Sequence, residues 1–204
     1  MIKKIGLFVL VIVVIAVGKY VYDTNINHNF KPVTEGKVYK SGAIPPDELP
    51  DYIAKHGIKS VIDLRFPGTD NLIDNPEIPE ELIAEREVVK GLDGVQYFNI
   101  GSDQIPDQET VDRFLKVMDE DVNYPVLIHC HHGEGRAILF SSIYRMEYED
   151  MPNEEAREKS RFFVKWGNFD HGTSKGEFVK NYTTRKEKLA EYLNQKPVVV
   201  ETKP

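Results

Sequence analysis

One stretch constrains the architecture more than any other. The apolar run Pro125-Val126-Leu127-Ile128-His129-Cys130 passes through a turn holding Gly133 and Gly135, then enters a second apolar run from Ala137 to Met146. The first run has the length and composition of a strand at the centre of a sheet. The second is apolar on nearly every side, which predicts a helix buried in a core. A strand that feeds a buried helix through a glycine turn is an α/β unit, and the remaining pattern must supply the sheet around it.

It does. Val38-Tyr39 begins a short strand stopped by Ser41-Gly42, and β-rich runs cover Ser60–Leu64 and Val95–Ile100. Pro45-Pro46-Asp47-Glu48 opens a helix with Leu49, Tyr52 and Ile53 on one face and Gly57 as its stop. Pro79-Glu80-Glu81 opens another that ends near Gly91, and Val111, Phe114, Leu115 and Met118 form an amphipathic stripe after Pro106. Further helices are predicted near 153–164 and 176–194, the latter with Phe178, Tyr182, Leu189 and Tyr192 on one face. The aromatic segment Phe162-Phe163-Val164-Lys165-Trp166 is read as packing. The fold class is α/β, a central four- or five-stranded sheet, mostly parallel or mixed, flanked by helices.

The loop His129-Cys130-His131-His132-Gly133-Glu134-Gly135-Arg136 carries the chemistry. A glycine-rich turn aims successive backbone N–H groups inward, and the helix that follows adds its positive end. Gly133 and Gly135 permit the dihedrals such a turn needs. Cys130, at the start of this cradle, meets a field that favours its thiolate, the nucleophilic form. Arg136 can grip two phosphoryl oxygens in a bidentate fork that Lys could not copy. The chain contains a single Cys, so neither an internal disulfide nor a zinc-ribbon site is available.

This arrangement resembles the protein tyrosine and dual-specificity phosphatase superfamily, whose signature His-Cys-(x)5-Arg here reads His129-Cys130 through Arg136. The resemblance covers roughly residues 36–165, including Val38-Tyr39-Lys40-Ser41-Gly42 and Gly57-Ile58-Lys59-Ser60-Val61-Ile62-Asp63-Leu64-Arg65, stretches that look like the small atypical dual-specificity phosphatases found in bacteria. It implies a cysteinyl-phosphate intermediate, a shallow cleft, no metal and no cofactor. It also implies that His129 orients the loop and keeps the thiolate charged, rather than serving as a base.

The reaction needs an acid for the leaving oxygen and later a base for water. The loop Gly101-Ser102-Asp103-Gln104-Ile105-Pro106-Asp107 offers two carboxylates. Asp103 stands where relatives carry the acid; Asp107, just after Pro106, is the alternative, and is also placed to cap a helix. Within the loop, His131, His132, Gly133, Glu134 and Gly135 join Arg136 as the phosphate-binding set. The two His side chains face the rim, where they add charge below pH ~6.5. Arg65, at the end of a strand, is a weaker candidate for substrate binding or for a structural ion pair, and so is Lys40. Two positions depart from the family pattern: Ala137 replaces the Ser or Thr that often follows the Arg, and Glu134 is acidic where phosphoinositide-preferring relatives often have Lys.

The formal charge is −7, which argues against a nucleic-acid partner. The partner is a phosphorylated substrate: a phosphoprotein, phosphosugar, inositol phosphate or lipid head group. Lys3 and Lys4 precede an apolar run from Ile5 to Val17. As a helix the segment from Ile5 to Tyr22 rises ~27 Å, the length of a transmembrane or signal segment. Lysines ahead of the run favour a cytoplasmic N-terminus, with the catalytic part periplasmic or otherwise extracytoplasmic. Ala16-Val17-Gly18 also resembles a cleavage site, which would release a secreted product. The expected partition is 1–22 anchor or signal, 23–37 linker, 38–195 phosphatase domain and 196–204 tail. Two other functions stay open on the same residues: a catalytically impaired phosphate-binding module, motivated by Ala137 and Glu134, and sulfur transfer of the rhodanese kind, which the His-Cys start, Arg136 and the Asp103 loop disfavour.

Overall fold

The structure is a computed structural model that describes residues 2–66, 78–161 and 167–195. The chain divides into two compact units, Met1–Phe140 and Ser141–Pro204. In the first, helix α1 (Ile2–Val21) runs into a short π-helical turn (Tyr22–Ile26). Then follow β1 (Lys31–Thr34), β2 (Val38–Ser41), α2 (Leu49–His56), β3 (Ser60–Asp63), α3 (Pro79–Lys90), β4 (Gln96–Asn99), α4 (Gln108–Met118) and β5 (Val126–His129). Helix α5 (Arg136–Tyr148) begins in this unit.

The five strands form one mixed sheet in the order β1-β2-β5-β3-β4. Only β1 is antiparallel to its neighbour; β2, β5, β3 and β4 are parallel. Both β5 and β3 are buried along their whole length, as strands covered on both faces must be. The pairing register sets Ser41, His129, Asp63 and Asn99 level in one row at the C-terminal ends of the four parallel strands. That end of an open α/β sheet is where ligand groups gather.

Side chains alternate across the sheet. Tyr39, Leu127 and Val61 pack with Leu49 and Ile53 of α2 and Val89 of α3 in one cluster. Helix α2 stops at Gly57, whose φ of 62° closes the last turn in the left-handed region. On helix α4, Val111, Phe114, Leu115 and Met118 are buried, and Phe114 meets Phe140 of α5 edge-on with ring centres 4.9 Å apart.

Residues 23–37, read above as a linker, are not a plain tether. They hold part of the π-helical turn and all of β1, which pairs with β2 through Lys31↔Lys40 and Pro32↔Tyr39. Phe30 and Val33 are buried. Two apolar residues among many polar ones suffice to seat the edge strand, because the ladder itself satisfies the backbone.

No helix among the described residues is long and apolar enough to cross a membrane. Helix α1 spans 20 residues, and the side chains of residues 1–5 and of Val9 lie outside the described set.

In the second unit α6 (Asn153–Ser160), α7 (Ser174–Lys180) and α8 (Arg185–Gln195) follow the end of α5. The single helix expected over 176–194 is two helices. Asn181 caps α7, and the Asn153 amide takes the carbonyls of Val179, Lys180 and Tyr182 as acceptors. Those carbonyls are thereby drawn out of any continuing helical ladder. Leu189 and Tyr192 are exposed on α8. The aromatic segment 162–166 lies outside the described residues.

Candidate active site

The row of level strand ends assembles the site. Past the end of β5, Cys130 opens the loop as a buried free thiol. The loop closes at Arg136, the first residue of α5, also buried. Arg136 Nη1 donates to the Leu64 carbonyl at 3.0 Å and to the Ser102 carbonyl at 3.2 Å. The guanidinium is therefore anchored to the segments that follow β3 and β4, at one end of the loop whose other end bears the thiol. Ser102 immediately precedes Asp103, so the same contact ties the expected acid's loop to the cradle.

Gly133 adopts φ +71°, and a Cβ there would lie 2.5 Å from the Gly42 nitrogen and 2.6 Å from the Ser41 carbonyl carbon. The glycine is thus required twice, for its dihedral and for close approach to the end of β2. That approach is fastened by the Ala43 N–H, which donates to the His131 carbonyl at 2.9 Å. His131 is half-buried and His132 exposed, and their rings meet edge-on at 4.5 Å. The Asn29 amide donates to the His132 carbonyl at 3.1 Å and to Glu134 Oε1 at 3.3 Å. Glu134, the acidic departure in the loop, is therefore engaged from the β1 side.

Asp103 is exposed. Asp107 is the N-cap of α4, accepting from the Thr110 N–H at 2.8 Å. The Thr110 side chain and then its N–H hold the Asp107 carboxyl below the usual range. One carboxylate of this loop is thus committed to a helix end while the other is solvent-facing.

Arg65, a weak ligand-binding candidate in the sequence, is withdrawn from any ligand. It is buried, with Nε 3.0 Å and 3.1 Å from the two Asp63 oxygens, Nη2 2.8 Å from Asp63 Oδ2, and Nη2 2.5 Å from Glu85 Oε2. Tyr97 Oη donates to Asp63 Oδ2 at 2.6 Å, and His129 Nε2 lies 2.8 Å from Glu85 Oε1. Burial pushes the His129 imidazole down, but the charges of Glu85 and Asp63 outweigh it and raise its pKa. Burial likewise works against the Asp63 carboxylate, and His129 with Arg65 overcomes it and lowers the pKa. Two carboxylates thus face the Arg65 guanidinium and the His129 imidazole in a buried set at the end of β5, one residue before Cys130. Asp63, Glu85 and His129 present ligand atoms within 4.8 Å of one another, a spacing that suits a cation. Arg65 already supplies the positive charge there.

Sequence reasoning missed Asp63, Glu85, Tyr97 and Asn29. The signal for the first two was present: Asp63 is a charge inside an apolar strand, and Glu85 lies one helical turn from Leu82 and Val89 on the buried face of α3. Burying an acid there requires a cationic partner.

The comparisons agree with this geometry. A family model described as a DSP-PTPase phosphatase fused to NAD+ kinase matches residues 13–179. No curated protein gives a match. Among solved structures, the core catalytic domain of the PP-IP phosphatase Siw14 from S. cerevisiae is 19% identical, with a TM-score of 0.59 over 82% of this chain and 93% of that one. TpbA of P. aeruginosa is 15% identical, with a TM-score of 0.56 over 81% and 92%. A mutant form of Tk-PTP is 22% identical, with a TM-score of 0.54 over 80% and 97%. At these identities the structures share the fold. The family match spans most of the chain, and with the buried free cysteine it follows that this protein belongs to the DSP-PTPase phosphatase family, the cysteine-dependent phosphatases of dual-specificity type.

Proposed function

We propose that the chain hydrolyses phosphomonoesters with Cys130 as nucleophile, Arg136 and the amides of residues 131–135 as the phosphoryl cradle, and Asp103 as acid. The Cys130 thiolate attacks phosphorus, the S–P bond forms, and the ester P–O bond breaks as Asp103 passes its proton to the departing oxygen. Water then attacks the cysteinyl phosphate and gives a proton to Asp103. The S–P bond breaks, and phosphate and thiolate are left.

The observation that carries this reading is the tethering of Arg136 to the Leu64 and Ser102 carbonyls. It fixes the fork in place before any substrate arrives, which is what transition-state stabilisation requires. Asp103 is favoured over Asp107 because Asp107 is engaged as a helix cap. The substrate is a phosphorylated protein or a phosphorylated small molecule. The second reading, a binding module without turnover, is motivated by Ala137, which is fully buried and offers no hydroxyl.

We further propose that α1 anchors the protein to a membrane and places the catalytic unit outside the cytoplasm. Its 20 residues rise ~30 Å as a helix, its side chains from Leu7 to Val17 include many exposed aliphatics, and Lys3 and Lys4 precede the apolar run. Detergent-dependent extraction from a membrane fraction tests this, and release by buffer alone overturns it.

The test of the reaction is phosphate release from an aryl phosphate in the presence of a chelator. Activity in the wild type that vanishes in Cys130→Ser supports the cysteine mechanism. A mutant as active as the wild type refutes it. A folded wild type that binds phosphate but never turns over selects the binding module.

A further inference from the structure

Lys40 is a buried lysine on the second strand, an unusual place for an ammonium. The β2–β5 register sets it beside Ile128, two residues before Cys130. Its Nζ donates to the Gly133 carbonyl at 2.8 Å and to the Asn29 carbonyl at 3.4 Å. It therefore grips the catalytic loop at the residue that makes the left-handed turn.

The consequence for the cradle is geometric. In a phosphate-binding turn the N–H groups must point inward, so the carbonyls must point out and be satisfied there. An ammonium bonded to the Gly133 oxygen does this for the central peptide. The charges facing Lys40 are Lys31 on β1, Asp23 in the π-helical turn, and Glu134 and the Cys130 thiolate in the loop. The attraction between Lys40 and the thiolate is mutual. The thiolate is both the attacking group and, in the second step, the group that leaves.

We propose that Lys40 is a positioning residue for the phosphatase reaction: its ammonium holds the Gly133 carbonyl out of the cradle and adds a buried positive charge to the loop that carries Cys130. This rests on Cys130 being the nucleophile. Burial and Lys31 push Lys40 down to about 8, while Cys130 and Glu134 pull the other way, so the charge is present at neutral pH.

The experiment is alkylation of Cys130 by iodoacetamide at pH 6, which reads the thiolate without any turnover, in Lys40→Met, Lys40→Gln and Lys40→Arg. Gln keeps a donor for the Gly133 carbonyl but carries no charge; Arg keeps the charge. Both neutral variants should alkylate at least about tenfold more slowly than wild type, since the attacking sulfur loses the attraction of the buried cation. Lys40→Arg should stay within about threefold of wild type. The kcat for phosphate release should fall in parallel while KM changes less in Lys40→Gln than in Lys40→Met. Wild-type alkylation rates in a folded neutral variant overturn the proposal. If Lys40→Met does not fold, Lys40→Gln decides the question. A Cys130→Ser protein that still releases phosphate would refute the cysteine reading itself, an outcome separate from anything the lysine variants show.

Discussion

The Tyr97 hydroxyl and the Asp63 carboxylate are joined by a 2.6 Å hydrogen bond, and through it β4 is tied to the buried charges behind the catalytic loop. Asp63 is fully buried and also receives Arg65. The burial of Tyr97 and the neighbouring Asp63 and Glu85 charges push its hydroxyl upward, so it remains a donor at every working pH. Removing that donor in Tyr97→Phe should cost about 1.5–3 kcal/mol, the range for a bond to a charged acceptor. Asp63→Asn should cost more, about 3–5 kcal/mol, because it leaves buried cations undercompensated. Urea unfolding checks both, and a Tyr97→Phe protein as stable as Asp63→Asn would show the ranking to be wrong.

The same network makes stability depend on pH in a definite direction. His129 has its pKa raised by folding, so its contribution is complete below the unfolded value of ~6.5 and is lost as pH climbs through the folded value. Asp63 has its pKa lowered. Its contribution is complete above ~3.9 and is lost as pH falls through the folded value. Lys40, pushed down to about 8 by burial, drifts the opposite way from His129, since its neutral form is relatively favoured in the fold. The difference between wild type and Glu85→Gln cancels that drift and isolates the histidine. Measured by denaturant unfolding, the wild-type advantage should be largest near pH 6 and shrink as pH rises. A difference that stays constant from pH 6 to 9 would remove Glu85 as the partner of His129.

Asp103 and Asp107 are separated by a leaving-group series. If Asp103 is the acid, Asp103→Asn should lower kcat by about 10²-fold or more for alkyl phosphates and far less for an aryl phosphate with an acidic phenol. Asp107→Ala should leave that dependence unchanged and instead lose about 0.5–2 kcal/mol of stability as α4 loses its cap. Steady-state kinetics across four or five esters checks the assignment, and a steepened leaving-group dependence in Asp107→Ala alone would exchange the roles.

Why the sequence disclosed some of this and not the rest follows from what each signal depends on. The run Val126–His129, the two loop glycines and the apolar stretch after Arg136 are local patterns, and strand β5, the loop and helix α5 stand where they predicted. The parallel register was not legible, since nothing local says that Ser41, His129, Asp63 and Asn99 end level. Strand β1 was hidden because an edge strand needs few apolar residues, and only Phe30 and Val33 betray it. Arg65 looked like a ligand group because its sequence position at a strand end is the right one; its true partner Glu85 lies on α3, with the segment 67–77 between them. Lys40 and Asn29 act on the loop across more than ninety residues of chain, and pairings of that range carry no periodicity to read.

Gly133→Ala tests how tightly the loop is held against β2. The residue sits at φ +71°, where a side chain costs about 1–2 kcal/mol by itself. The added Cβ would also fall 2.5 Å from the Gly42 nitrogen and 2.7 Å from the Ser41 oxygen. These are backbone atoms of a paired strand, which cannot step aside as a flexible side chain would. The loop must therefore move off β2, and the movement should break the Lys40 contact to the Gly133 carbonyl and tilt the neighbouring N–H groups away from phosphate. Gly36, whose φ of +71° is the same but whose Cβ position is open, provides the control for dihedral strain alone. Gly36→Ala should lose about 1–2 kcal/mol and keep its affinity for inorganic phosphate. Gly133→Ala should lose at least tenfold in phosphate affinity, a change of about 1.4 kcal/mol in binding, on top of a larger loss of stability. Inhibition by phosphate and thermal unfolding of the two variants give both readings. Equal behaviour of the pair would mean that the loop gives way without disturbing the cradle.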